Sequence, residues 1–98
     1  MACANLAVLA GDQGRFANAE SLGRRSLQIL ETVLGPGDAE VGLTVLNLAG
    51  AVAGQGRRAE AAALTARAAA ILTARLPAGH PHVTAAAQAL DRLAGRAS

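Results

Sequence analysis

The sequence predicts an all-α chain built from repeated helical hairpins, and three observations carry that prediction. Alanine accounts for 26 of the 98 residues, and alanine has the highest helix propensity because it loses no side-chain entropy in a helix. Apolar residues recur at helical spacing, and nowhere at the two-residue spacing of a strand. The chain also resembles itself at an offset of 42 residues, the mark of a repeat architecture.

The repeat is legible in short words. Asn5-Leu6-Ala7 returns as Asn47-Leu48-Ala49, Gln13-Gly14-Arg15 as Gln55-Gly56-Arg57, and Ile29-Leu30 as Ile71-Leu72. Ala19 and Ala61, Leu22 and Leu64, Arg25 and Arg67, and Val41 and Val83 match at the same offset. Most of the matching pairs are not alanines, so composition alone does not produce them. The single domain, residues 1–98, then divides into a first repeat at about 1–37, a second at about 38–79 and a C-terminal capping helix at about 80–95.

Five helices follow in order. The first covers about 2–12 and stops at the break Gly11 to Arg15. The second, about 17–34, shows the stripe Ala19, Leu22, Ser26, Leu30 and Val33. Its polar positions Glu20, Arg24, Gln28 and Glu31 are assigned to the outer face, with Glu20 and Arg24 one turn apart as an ion pair. Gly35-Pro36-Gly37 ends this helix, and Asp38 is placed to cap the next. The third helix, about 39–53, carries Val41, Val45, Leu48 and Val52 at i, i+4, i+7 and i+11. The break Gly54 to Arg57 leads to the fourth helix, about 58–76, with Ala61, Leu64, Ala68, Ile71 or Leu72, and Leu76. Pro77-Ala78-Gly79 separates it from the fifth, about 81–95, where Pro81 suits a first helical position.

Composition excludes several functions. Apolar residues make up 52% of the chain, enough to bury a core and to argue against disorder. Phe16 is the lone aromatic and the arginines are scattered, so neither stacking platforms nor a basic stripe for nucleic acid is present. No signal peptide or uninterrupted apolar span predicts a membrane segment. Cys3 has no internal disulfide partner, which fits a reducing, cytoplasmic compartment. His80 and His82 flank Pro81 and read as a turn residue and a helix-start residue, because a metal site needs three or four convergent ligands. No phosphate loop, nucleophile motif or paired-carboxylate arrangement is recognisable. The expectation is a non-enzyme without cofactor or metal.

The words Asn-Leu-Ala, Gln-Gly-Arg-Phe, Ala-Glu-Ser-Leu, Ser-Leu-Gln-Ile-Leu-Glu and Leu-Gly-Pro-Gly-Asp, with His80-Pro81 in the second inter-repeat turn, resemble the tetratricopeptide repeat of kinesin light chains and their relatives. The resemblance covers roughly residues 4–94. It implies a right-handed superhelical α-solenoid whose first helices line a concave groove that holds a peptide. It also implies that Asn5 and Asn47 face that groove and bond a ligand's backbone. The third, partial unit has Ala89 at that place. The sequence departs from the family where Ala10, Gly23, Val52 and Thr65 replace expected bulky residues, and where Arg58 stands opposite Phe16. Close helix approach, permitted by alanine, is the expected compensation.

Spacing adds its own account of the groove. The helix at 39–53 has a second apolar face, Leu43, Leu46, Asn47, Gly50 and Gly54, which requires a cover or a ligand. Asn47 is the lone strong hydrogen-bonding group on it, suited to a peptide backbone or else to a neighbouring helix. Leu43 and Leu46 also fit simple packing or a self-association surface. Corresponding positions on the first helix are Asn5, Val8 and Asp12, and on the last Gln88 and Arg92. Arg92 suits a ligand carboxylate, since a guanidinium makes two parallel bonds to one.

The expected function is a protein-interaction module that takes a peptide or protein segment in this groove. Because Met1 aligns with Leu43, the first helix is expected to lack an opening turn. Two further expectations follow: a self-associating piece of a longer array, pairing through the exposed N-terminal helix, or a regulatory segment of a larger sensor.

Overall fold

A computed structural model describes residues 13–93, and within them every regular element is a helix. Helix α1 spans Gln13–Leu34, α2 Ala39–Gly54, α3 Arg58–Arg75 and α4 Pro81–Leu93. The helix expected at 2–12, with Asn5, Val8 and Asp12, lies outside the described residues. The remaining four stand where the spacing placed them, except that α1 starts at Gln13 instead of near residue 17. Gly56 takes a left-handed φ of +82° in the turn after α2, whereas its repeat counterpart Gly14 is helical. The additional first turn of α1 is held by Phe16, whose ring lies over Gly54 of α2.

Local chemistry sets the helix starts. The Asp38 side chain accepts a 2.8 Å hydrogen bond from the Glu40 backbone N–H, satisfying an amide that the first turn leaves unpaired. Its repeat counterpart does the same work with a ring: His80 Nδ1 accepts from the His82 N–H at 3.1 Å. His80 thus stands just before the helix, as a turn residue that caps it, and His82 lies in its first turn. Gly35 provides the positive φ, +92°, that turns the chain between the repeats.

The core runs along α2. Val41, Val45 and Val52 are fully buried and Leu48 is 1% exposed, all four on the stripe read from the sequence. They meet Leu27 of α1 and Ala61 and Ala68 of α3. Small residues bring the backbones close. A Cβ on Gly42 would lie 2.9 Å from Ile71 Cγ2, and one on Gly23 would lie 3.4 Å from Leu48 Cδ1. Thr65 is fully buried and its hydroxyl donates to the Ala61 carbonyl one turn back, so the position expected to hold a bulky residue holds a satisfied polar one.

Helix α1 departs from expectation twice. Its core residue is Leu27, while Leu22 and Val33 of the expected stripe are 42% and 71% exposed. The charged positions assigned to its outer face point at α3 instead. Glu20 bonds Arg57, Arg24 bonds Glu60, and Glu31 pairs with Arg67. A charged row reads as solvated in sequence; here its partners lie some three dozen residues further along.

Candidate functional site

Helices α2, α3 and α4 enclose a hollow of about 360 Å³. Leu46, Ala49, Gly50 and Ala53 of α2 form one wall, and Ala85, Ala89, Arg92 and Leu93 of α4 the other. Thr65 and Arg58 of α3 close the floor. The walls approach closely because their residues are small. Gly50 is open: a Cβ built there meets nothing within 4 Å.

Three residues expected in a binding groove therefore converge. Leu46 and Gly50 face Arg92 across the hollow. The other described candidates do not line it. Asn47 and Gln88 are exposed beside it on α2 and α4, and Leu43 is half-buried further along α2. The Asn47 side chain makes no hydrogen bond among the described residues.

Arg58 was not anticipated as part of this site. Its Nε donates to the Leu93 carbonyl at 3.0 Å and an Nη donates to the Arg92 carbonyl at 2.6 Å. These are carbonyls at the end of α4, which the helix itself leaves unpaired, and a guanidinium there complements the helix dipole. Repeat register held the signal. Phe16 covers Gly54 at the end of α2, and its counterpart Arg58 reaches the end of the next first helix, α4. With Arg58 so engaged, Arg92 is the cation of the hollow whose guanidinium has no acceptor among the described residues.

The strongest electrostatic feature lies on the side of α3 facing α1. The Glu20 carboxylate, 13% exposed, receives Arg57 at 2.6 Å, Gln55 at 2.8 Å and Arg24 at 2.7 Å. The hydrogen bonds from Arg57 and then Gln55 hold its pKa down at about 2, against the opposing effect of burial. Glu60 is likewise held below the ordinary carboxylate range by Arg57 and Arg24. Carboxylates locked in the ionised form by guanidinium groups are poor proton donors near neutral pH. This cluster therefore joins α1 to α3 and gives no acid–base pair. Among the described residues, no three His, Cys, Asp or Glu side chains gather as a metal site. No described helix is long and apolar enough to cross a membrane.

The tetratricopeptide repeat family model matches residues 1–74. The chain belongs to the tetratricopeptide repeat family. No curated protein matches it. Tetratricopeptide repeats are non-catalytic helical modules that mediate protein–protein interaction. The match ends inside α3, so α4 lies beyond it.

Proposed function

We propose that this tetratricopeptide repeat chain binds a peptide or protein segment in the hollow between α2 and α4. The observation that carries the reading is the convergence of Leu46, Gly50 and Arg92 over a floor made by α3. Leu46 and the alanines offer shallow apolar contact. Gly50 lets a ligand backbone approach α2 closely. Arg92 supplies a guanidinium, without an acceptor among the described residues, for a carboxylate, and the exposed Asn47 supplies an amide at the rim. The fitting ligand is an extended or helical segment with a small apolar side chain next to an acidic one. Repeat register adds Asn5, Val8 and Asp12 to the same proposed groove, and the 42-residue period supports the kinesin light chain type of repeat.

Gly50→Leu tests this reading cleanly. A Cβ at this position meets nothing within 4 Å, so the new side chain can start into the hollow without displacing α2. A peptide selected by display against the full chain should lose at least tenfold affinity for Gly50→Leu. It should lose less for Arg92→Gln and Asn47→Ala, with unchanged circular dichroism in all three. Full affinity for Gly50→Leu rules the hollow out as the binding site.

A further inference from the structure

The start of α3 meets the end of α4 at the rim of the hollow. Arg58 is the first residue of α3, and Arg92 lies in the last turn of α4. A cation in a first helical turn is disfavoured by its own helix dipole. At Arg58 the Leu93 and Arg92 carbonyls offset that cost by accepting from its guanidinium. Arg92 stands in the reverse situation. An arginine in a last turn can fold back and bond the terminal carbonyls of its own helix. Two of those carbonyls already receive Arg58, and a second guanidinium on them would lie against the first, where like charges repel. The Arg92 guanidinium accordingly has no acceptor among the described residues, although it lines the hollow.

The same two bonds fix the wall that carries Arg92. Helix α4 packs on α3 through shallow contacts: Ala86 is its one buried residue, and Leu93 packs against the core. Alanine buries little apolar area. Arg58 therefore contributes much of what holds the last turn of α4, and with it the span between Arg92 and the opposite wall at Leu46 and Gly50.

We propose that Arg58 is a positioning residue for ligand selection. By occupying the terminal carbonyls of α4 it keeps the Arg92 guanidinium free and at a fixed reach, and so sets the preference of the hollow for an acidic ligand. The inference rests on the hollow being the binding site. Arg92 contacts the ligand's carboxylate, and Arg58 acts through it.

One test needs no ligand. In hydrogen exchange of the full chain, Arg58→Met should speed exchange at residues 90–93 roughly threefold to tenfold, as expected for losing one or two exposed hydrogen bonds. Arg58→Lys should have a smaller effect, since an ammonium still reaches one carbonyl, and α2 should be unaffected in both. The second test uses a peptide selected by display from a library with one fixed glutamate, beside its glutamine version. The wild-type chain should prefer the acid roughly fivefold to tenfold, for a charge-assisted pair that stays partly solvated. Arg92→Gln should abolish the preference. Arg58→Met should reduce it to about twofold or less although Arg92 remains, and Arg58→Lys should restore part of it. Arg58→Met added to Arg92→Gln should change nothing more, because the two residues act as a unit. A residue that merely stabilised the fold would leave the acid preference where it was.

Unchanged exchange at the end of α4 in Arg58→Met overturns the proposal, as does an acid preference that survives that change. A residual preference in Arg92→Gln that Arg58→Met then removes makes Arg58 a ligand contact, which also overturns it. Affinities indifferent to both Gly50→Leu and Arg92→Gln remove the hollow as the binding site and the proposal with it. That failure is distinguishable from the others, because the exchange at α4 still follows Arg58.

Discussion

Gly50 and Gly54 lie one turn apart on α2, and the same substitution should have opposite effects at the two. At Gly50 a Cβ meets nothing within 4 Å. Gly50→Ala therefore gains only helix propensity and reduced unfolded-state freedom, about 0.5–1 kcal/mol of stability. At Gly54 the Cβ would fall 2.5 Å from Phe16 Cδ1 and 2.6 Å from Cε1 and Cγ. Carbon atoms prefer about 3.5–4.0 Å, so the ring must retreat by roughly 1 Å or swing into solvent. Crowding of this kind costs about 1–3 kcal/mol. The propensity gain is smaller at Gly54, the last residue of α2. The net effect is about 1–2 kcal/mol of destabilisation, or roughly 4–15 °C in melting temperature for a domain of this size. Thermal and urea unfolding of both variants provides the assay, completed by a double-mutant cycle with Phe16→Ala. Without the ring, Gly54→Ala should become neutral, giving a coupling of about 1 kcal/mol or more. A Gly54→Ala protein as stable as wild type, or a cycle without coupling, would show that Phe16 does not hold the start of α1 against α2.

Other perturbations have equally definite signs. Leu48→Ala removes a side chain 1% exposed at the centre of the core and should cost about 2–5 kcal/mol in urea unfolding. Asp38→Ala leaves the Glu40 amide uncapped and should cost about 1 kcal/mol, whereas Asp38→Asn should cost less. The Glu20 pKa is depressed from 4.5 to about 2, so its contribution is present above pH 4.5 and disappears as the pH falls through 2. With exposed arginine partners screening the interaction, that contribution is roughly 1–3 kcal/mol. Glu20→Gln should therefore flatten the loss of stability between pH 4.5 and 2, and a wild-type slope in the variant would exclude the assignment.

What the sequence disclosed depended on contrast between side chains. Val41, Val45, Leu48 and Val52 recur at a clear helical spacing, with glycine, threonine, asparagine and alanine among the residues between them, so their burial was readable. On α1 the contrast fails, because Leu22, Leu27, Ile29, Leu30 and Val33 surround much of the helix. Only the position of α2 and α3 decides that Leu27 goes inside. Glu20 and Glu31 were misread as solvated for a related reason: nothing local marks a charge whose partner is 36 or 37 residues distant. The hollow was half legible. Leu46, Gly50 and Arg92 followed from spacing and register. Arg58 did not, because an arginine replacing an aromatic looks like a lost core residue until its bonds to the α4 carbonyls are seen.

The distribution of bonds has a consequence for binding. Arg57 turns toward α1 and Arg58, its neighbour, toward α4. The ion pairs that join α1 to α3 thus lie away from the hollow, where a ligand between α2 and α4 does not compete for them. Salt should accordingly act on two properties separately. It weakens the α1–α3 junction by screening exposed guanidinium–carboxylate pairs, whereas it reaches a ligand in the hollow chiefly through Arg92. The apolar contact with Leu46 and the alanine walls is indifferent to screening. A ligand whose affinity in Arg92→Gln no longer varies with ionic strength, in a protein whose unfolding midpoint still does, is the behaviour this separation requires.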